Sequence, residues 1–375
     1  MKILQVSKYY FPFVGGVEQV ARDCSNSLKE TNEVKVICFN HEKGDKIDTV
    51  DNVEVVRAGC FTKIASQSLS FSYYKNLKKV FKSFVPDLVI FHYPNPFAAH
   101  YLLKILKKYT NCKLIIYWHL DIVKQRFLGK LFNGQTKRLI KRAVKIFATS
   151  PNYIEDSKYL NVNKEKCVVL SCCVNEERLR VNETDVKLSK SIKDRYKGKT
   201  ICFAVGRHVL YKGIEYLIKA SKCLDDNFVV FIGGEGPLTD SLKSLAKNDD
   251  KIIFLGKIKE DELKAYLLAC DIFCFPSITK NEAFGIALAE AMSFGKPAVT
   301  FTIEGSGVNY VSLDGVTGIE VENRNAIKYA EAIVKLSNDK DLRERYGQAA
   351  RERVIKNFTT ETLKNNLTTV LEIIK

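Results

Sequence analysis

From end to end, the chain alternates short β-branched or aromatic runs with longer segments whose apolar residues recur at helical spacing. In the first half the strand-like runs are 3–7, 34–39, 53–58, 88–91, 114–118, 144–149 and 168–170. In the second half they are 201–205, 228–232, 252–255, 272–275 and 298–301. Strands separated by helices are joined by crossovers rather than hairpins, so the pattern predicts an α/β fold with two parallel, helix-covered sheets. At 375 residues the chain is long enough for two domains, each with its own core. The stretch 172–199 is polar, lysine-rich and poor in apolar periodicity, and is the expected join. The segment 342–375 is again helical in pattern.

Composition narrows the function classes. Hydrophobic residues at 46% and charged residues at 27% describe a globular protein. No apolar run approaches the roughly 18 residues of a membrane span, and residues 1–6 read as a first strand rather than a secretory signal. The expected location is therefore the cytoplasm. The eleven cysteines lack zinc-finger spacing, and Cys38, Cys202 and Cys274 lie in strand-like runs, so reduced structural thiols are expected. A formal charge of +16 favours anionic partners. Between Lys124 and Lys145 stand eight lysines and arginines, no acid, and interspersed Phe127, Leu128, Leu131, Phe132, Leu139 and Ile140. This suits an anionic membrane surface at the inner face of a membrane, and equally a solvated helix face. Nucleic acid is not expected, because zinc-finger, RNA-binding aromatic and helix-turn-helix patterns are lacking.

The segment NEAFGIALAEAMSFGKP carries the most chemistry. Glu282 precedes a helix expected to start at Phe284-Gly285-Ile286, and Glu290 falls in its second turn; Ile286, Ala289 and Met292 suit one face, and Gly295-Lys296-Pro297 ends it. A helix start offers unpaired N–H groups and the positive end of a dipole, so a pyrophosphate fits between the two carboxylates. Sugar hydroxyls, pyrophosphate and ribose hydroxyls follow that order in a nucleotide-sugar. The alternative, that Glu282 caps the helix and Glu290 lies on a solvated face, is outweighed by the strand-loop-helix-strand unit completed by 298–301.

This segment resembles the E-x7-E signature of retaining glycosyltransferases with two facing Rossmann-like domains, most closely family 4. The resemblance covers nearly the whole chain and includes Gly15-Gly16-Val17-Glu18, Trp118-His119-Leu120-Asp121, and Gly206-Arg207 followed by Tyr211-Lys212-Gly213. It implies the GT-B fold with an interdomain cleft: an acceptor-binding domain at 1–172, a nucleotide-sugar-binding domain at 173–355, and a terminal helix at 356–375 packing back on the first. It also implies transfer from a nucleoside-diphosphate sugar to a hydroxyl, with retention at the anomeric carbon.

Ligands of open α/β sheets bind outside the carboxyl ends of the strands, which singles out the residues there. Gly15 and Gly16 let the backbone approach a bulky ligand, and the resemblance places them against the donor phosphate or the acceptor. His119 can donate to a sugar hydroxyl or to the departing oxygen, and with the resemblance it is the active-site residue of the first domain, Asp121 standing beside it. His92 and Asn95 are expected to line the acceptor groove. Arg207 and Lys212 follow a strand and can neutralise the diphosphate as it leaves. Phe284, Gly285 and Ile286 supply amides, Glu282 orients sugar hydroxyls and Glu290 holds the ribose. The glycine turns 233–236 and 305–307 are weaker candidates for the donor surroundings. The one D-x-D pair, Asp339 and Asp341, reads as a helix cap. With these cations and a helix dipole available, neither a metal nor another cofactor is expected. Flanking residues look most like enzymes of bacterial surface polysaccharide assembly, which favours a mannosyl-type donor and a glycan or polyprenyl-diphosphate-linked acceptor. Rival readings are a nucleotide-sugar epimerase or hydrolase and a non-catalytic nucleotide-sugar-binding protein; a nicotinamide dehydrogenase lacks its glycine fingerprint.

Overall fold

The computed structural model describes residues 1–13, 15–64, 67–121 and 126–375, with side chains described outside 63–67 and 126–131. The chain divides into two compact units, Met1–Cys173 with Thr360–Lys375, and Val174–Thr359.

The strands of the first unit are β1 (Lys2–Val6), β2 (Glu33–Phe39), β3 (Lys46–Val50), β4 (Val53–Ala58), β5 (Thr62–Ile64), β6 (Gln67–Leu69), β7 (Leu88–Tyr93), β8 (Lys113–Trp118), β9 (Lys145–Ala148) and β10 (Cys167–Val169). Eight of them form one sheet in the order β10-β9-β8-β7-β1-β2-β4-β3, and β5 pairs with β6. The sheet is parallel except at β3, which runs antiparallel to β4. Sequence patterning does not reveal β3, because an exposed edge strand needs no apolar run. Asp48 of β3 instead holds the buried Arg57 of β4, at 3.0 Å.

The second unit contains β11 (Thr200–Val205), β12 (Phe228–Gly233), β13 (Ile252–Gly256), β14 (Ile272–Phe275), β15 (Ala298–Phe301) and β16 (Gly318–Val321), in the order β13-β12-β11-β14-β15-β16. All its pairings are parallel. Strands β12, β14 and β15 are buried along their length, as helix-covered strands must be, and they carry the continuous apolar runs. β16 escapes the sequence pattern because it opens on Gly318, whose added Cβ would lie 2.1 Å from the Ala298 carbonyl oxygen.

In both sheets the strand order reverses at a central strand. β1 has β2 on one side and β7 on the other, and β11 likewise lies between β12 and β14. Loops leaving the carboxyl ends there diverge and open a crevice, which is where ligands of such sheets bind.

The two units meet in sequence at Cys173 and Val174, inside the stretch 172–199 where the join is expected, but most of that stretch is ordered structure of the second unit. It contains the helix Glu183–Arg195, started by a capping box between Asn182 and Asp185. Asp185 is buried and pairs with Lys264 at 2.8 Å, fixing this helix to the helix Glu260–Ala269. Its few apolar positions explain why periodicity misses it. The second unit also continues past 355, because the helix Lys340–Asn357 runs on unbroken. The last helix, Thr360–Ile374, belongs to the first unit and packs on the helix Gly16–Leu28, burying Leu363, Leu367, Val370 and Leu371. Lys364 meets Glu30 at 2.6 Å and Lys113 donates to the carbonyl of Lys375 at 2.9 Å. All eleven cysteines are free thiols, most of them buried. Among the described residues no helix is long and apolar enough to cross a membrane.

Candidate active site

In the second unit the site forms where the loops after β11 and β14 meet. After Val205 the chain turns through Gly206 and Arg207 into a 3-10 turn at Leu210–Lys212. Gly213 follows with φ +61°, and a Cβ there would lie 2.0 Å from the Pro276 carbonyl oxygen. The turn is tied to the loop after β14 by the Ile278 amide donating to the Tyr211 carbonyl at 2.9 Å. These constraints bring Lys212 Nζ within 2.5 Å of Glu282 Oε2, which also accepts from Ser277 Oγ at 3.1 Å. Both side chains are largely buried. Burial lowers the pKa of Lys212, but the Glu282 carboxylate, Tyr211 and the hydrogen bond to Glu282 outweigh it, and the ammonium is held above the usual lysine range. Burial raises the Tyr211 phenol, assisted by Glu282 and opposed by Lys212 and Arg207, which places Arg207 within electrostatic reach. Arg207 is exposed and makes no ion pair among the described residues.

The helix after this loop is Ile286–Ser293. Gly285 precedes it at φ +96° and brings no side-chain cap, leaving the first-turn amides without an intrahelical partner. Phe284 is buried and Ile286 half-buried. The helix is buried on more than one face, through Leu288, Ala289, Ala291 and Met292, so a single apolar stripe under-describes it. Neither bland reading of the two glutamates survives. Glu282 does not cap the helix. Glu290 is 7% exposed and its carboxylate is gripped by the Arg178 guanidinium, which also reaches Glu260 at 3.2 Å. Arg178 lies 112 residues from Glu290 in sequence, shortly after the boundary between the units, and no local signal marks it.

The glycine turns have structural reasons of their own. A Cβ on Gly234 would lie 2.1 Å from the Gly206 carbonyl, and one on Gly236 2.5 Å from that of His208, so the turn after β12 rests directly on the loop after β11. Ser306 donates to the Glu282 carbonyl, and a Cβ on Gly307 would lie 2.1 Å from that of Ala283. The 305–307 loop therefore backs the Glu282 segment. Asp339 caps the helix Lys340–Asn357, accepting from the Leu342 amide at 2.8 Å. Among the described residues no group of three or more His, Cys, Asp or Glu is placed to hold a metal ion.

In the first unit, Gly15 precedes the helix Gly16–Leu28 in extended conformation and Gly16 is exposed at its first position. Beside them lies Glu18, not singled out as a site residue from sequence. It is buried, and desolvation raises its carboxyl pKa against the opposing charge of Lys8. His119 follows β8 and is 5% exposed. Its Nε2 is 2.9 Å from His92 Nδ1, and His92 Nε2 is 2.6 Å from Gln5 Oε1. Burial drives the His92 pKa down to about 3; burial and then His92 drive that of His119 well below the histidine range.

Three expected site residues of this unit have structural duties. His92, 1% exposed, lies behind His119 rather than on a groove. Asn95 caps the helix Pro96–Leu106 with its Oδ1, accepting from the Ala98 amide at 3.3 Å, while its Nδ2 is buried with no hydrogen-bond partner among the described residues. Asp121 holds its own loop: Oδ1 accepts from Trp118 Nε1 at 3.0 Å and Ser157 Oγ at 2.9 Å, and its amide donates to Tyr153 at 2.7 Å. Short polar side chains after strands satisfy loops as readily as ligands. The basic stretch lies partly outside the described residues: Lys124 entirely, and the side chains of Arg126 and Lys130. Farther along the helix Arg126–Arg142, Leu139 and Ile140 are buried while Lys137, Arg138 and Lys141 are exposed. Its apolar residues there serve the core, leaving cations alone on the surface.

The buried histidines predict an acid-sensitive fold. His92 takes up a proton near 6.5 when unfolded but only near 3 when folded, so its contribution is complete above about pH 6.5 and is lost as pH falls toward 3. At pH 5 the loss is about 2 kcal/mol. Urea unfolding of His92→Asn between pH 7 and 5 is expected to show a shallower decline than wild type; equal slopes would refute this.

A family model described as "Glycosyl transferases group 1" matches residues 185–353, and one described as "Glycosyltransferase Family 4" matches residues 14–178. The O-antigen chain mannosyltransferase C of Escherichia coli is 27% identical over 99% of this chain and 99% of its own length. A D-rhamnosyltransferase of Pseudomonas aeruginosa is 28% identical over 96% of this chain and 92% of its own. Among solved structures, HepE of Anabaena in complex with UDP and glucose aligns with a TM-score of 0.79 at 16% identity, over 99% of both chains, and so shares the two-domain GT-B fold.

Proposed function

This chain belongs to glycosyltransferase family 4, and we propose that it moves a hexose, of mannosyl type, from a nucleoside-diphosphate sugar to a hydroxyl of a glycan or lipid-linked saccharide in surface polysaccharide biosynthesis, with retention at the anomeric carbon. The observation that carries this reading is the cluster at the switch point of the second sheet: Arg207, Lys212 and Glu282 beside the uncapped helix start, with Glu290 buried one turn onward. Departure of a diphosphate adds negative charge to the phosphate and leaves positive charge on the sugar ring, so stabilisation concentrates on the leaving group. Arg207, Lys212 and the amides at Phe284, Gly285 and Ile286 take that role, with no metal required. Glu282, through its free carboxylate edge, orients sugar hydroxyls. Glu290 holds the ribose, and Arg178 pairs with its buried carboxylate at the edge of that site. Gly15 and Gly16 admit a bulky ligand to the amino end of their helix, and His119 contacts a substrate hydroxyl. The relatives that act on O-antigen and rhamnose support the hexose and polysaccharide classes. HepE, solved with UDP and glucose, supports a nucleotide donor. The exposed cations Lys137, Arg138 and Lys141 favour an anionic acceptor such as a polyprenyl diphosphate, or an anionic inner membrane surface carrying it.

The test is transfer from GDP-, UDP- and ADP-hexoses to a lipid-linked saccharide, with the anomeric configuration read by NMR. One donor family should yield product of retained configuration, at the same rate with excess chelator. An inverted product, donor cleavage without acceptor, or loss of rate on chelation would each overturn the corresponding part.

A further inference from the structure

We propose that Gln5 and His92 are positioning residues that fix His119 as its Nε2–H tautomer, so that its remaining nitrogen, Nδ1, is a hydrogen-bond acceptor for a substrate hydroxyl. The proposal deepens the assignment of His119 to substrate made above and rests on it.

Gln5 stands on β1, two strands from the β8 strand that His119 follows. Gln5 is polar yet fully buried, between the apolar Leu4 and Val6 of its strand. Its Nε2 lies 3.1 Å from the Ala21 carbonyl and 2.7 Å from Ser25 Oγ, whose own hydrogen goes to the same carbonyl at 2.9 Å. Both neighbours accept, and only an amide NH2 can donate to two acceptors, so the orientation of the Gln5 amide is settled. Its Oε1 must therefore face His92 Nε2, which must carry a hydrogen to make the 2.6 Å contact. Burial keeps His92 neutral, so its Nδ1 is a bare lone pair. His119 Nε2, 2.9 Å away, must then be the N–H. His119 is neutral for the same reason, and its Nδ1 is left without a hydrogen; it has no hydrogen-bond partner among the described residues. Reversing the relay would turn the contacts over in sequence and end with Gln5 Oε1 against the Ala21 carbonyl, two acceptors face to face in a buried site.

The consequence corrects the sequence expectation. The single N–H of His119 is used inward, so the ring does not donate to the departing oxygen. It accepts the hydrogen of a hydroxyl and thereby selects ligands that present one at that position. The ring plane is also fixed, stacked on Tyr117 at 4.6 Å and on His92 at 5.2 Å.

The experiment uses the full-length protein with 15N-labelled histidine. Long-range 15N NMR at neutral pH, with the His119 signal assigned by its loss in His119→Gln, is expected to give a protonated Nε2 and a bare Nδ1. A protonated Nδ1, or comparable amounts of both tautomers, overturns the relay whatever the activity. Kinetics supply the second arm. His92→Asn can keep an acceptor near the lost Nδ1 and is expected to hold kcat/KM within about threefold of wild type, whereas His92→Leu lowers it by roughly tenfold or more and gives a mixed His119 tautomer. Equal losses in the two variants, both folded by thermal melting, would mean that His92 only fills space, and would overturn the positioning role. Unchanged transfer by His119→Ala would instead overturn the substrate contact, and that failure is separate from a wrong tautomer.

Discussion

Lys212→Met is expected to lower kcat by roughly 10²- to 10³-fold, the scale of removing one preorganised charge from a developing anion. Methionine keeps the length and apolar stem of lysine, so packing over the Phe275 ring, now 4.9 Å from Nζ, is disturbed little. The variant also leaves Glu282 largely buried with Ser277 as its side-chain partner among the described residues, which costs stability as well as rate. The two effects separate in Lys212→Met/Glu282→Gln, where no charge remains to be compensated. Denaturant unfolding of the double variant is expected to return toward wild type while kcat stays low. Recovery of kcat with stability would mean that the pair is structural and that Lys212 does not act on the leaving group.

Glu290→Ala is expected to weaken donor binding by about 10- to 150-fold, the equivalent of one or two hydrogen bonds to a charged group, with a smaller effect on turnover at saturating donor. The present partner of Glu290 is Arg178, which retains Glu260 at 3.2 Å when Glu290 is removed, so the arginine is not stranded without a counter-charge. Isothermal titration of the donor nucleotide into wild type and Glu290→Ala measures the loss directly. Unchanged affinity would remove Glu290 from the ribose site and leave it as the anchor of Arg178.

Much of this was legible in the sequence because the elements that matter are central and buried. β7, β12, β14 and β15 announce themselves as apolar runs since both faces are covered, and the Glu282 to Glu290 unit follows from a glycine helix start and a Gly-Lys-Pro stop. The edge strands β3 and β16 were hidden because exposure or a glycine opening removes the pattern. Long-range polar pairings were hidden for a different reason: nothing local to Arg178, Gln5 or Lys264 tells which acid or imidazole it will meet. His92, Asn95 and Asp121 stand near the expected strand ends, yet His92 and Asp121 bond within the protein and Asn95 spends its carbonyl oxygen on a helix cap, since a polar residue after a strand has a loop to satisfy before it has a ligand.

The central claim is that the second unit holds a nucleoside diphosphate between Glu282 and Glu290. Its most direct test is a thermal-unfolding panel of the wild-type protein with GDP, UDP, ADP and their sugars. A ligand at a hundred times its dissociation constant adds about 2.7 kcal/mol, so one nucleotide family should raise the melting temperature by several degrees and lose that effect in Glu290→Ala. No shift with any nucleotide, or a shift that survives the substitution undiminished, would contradict it.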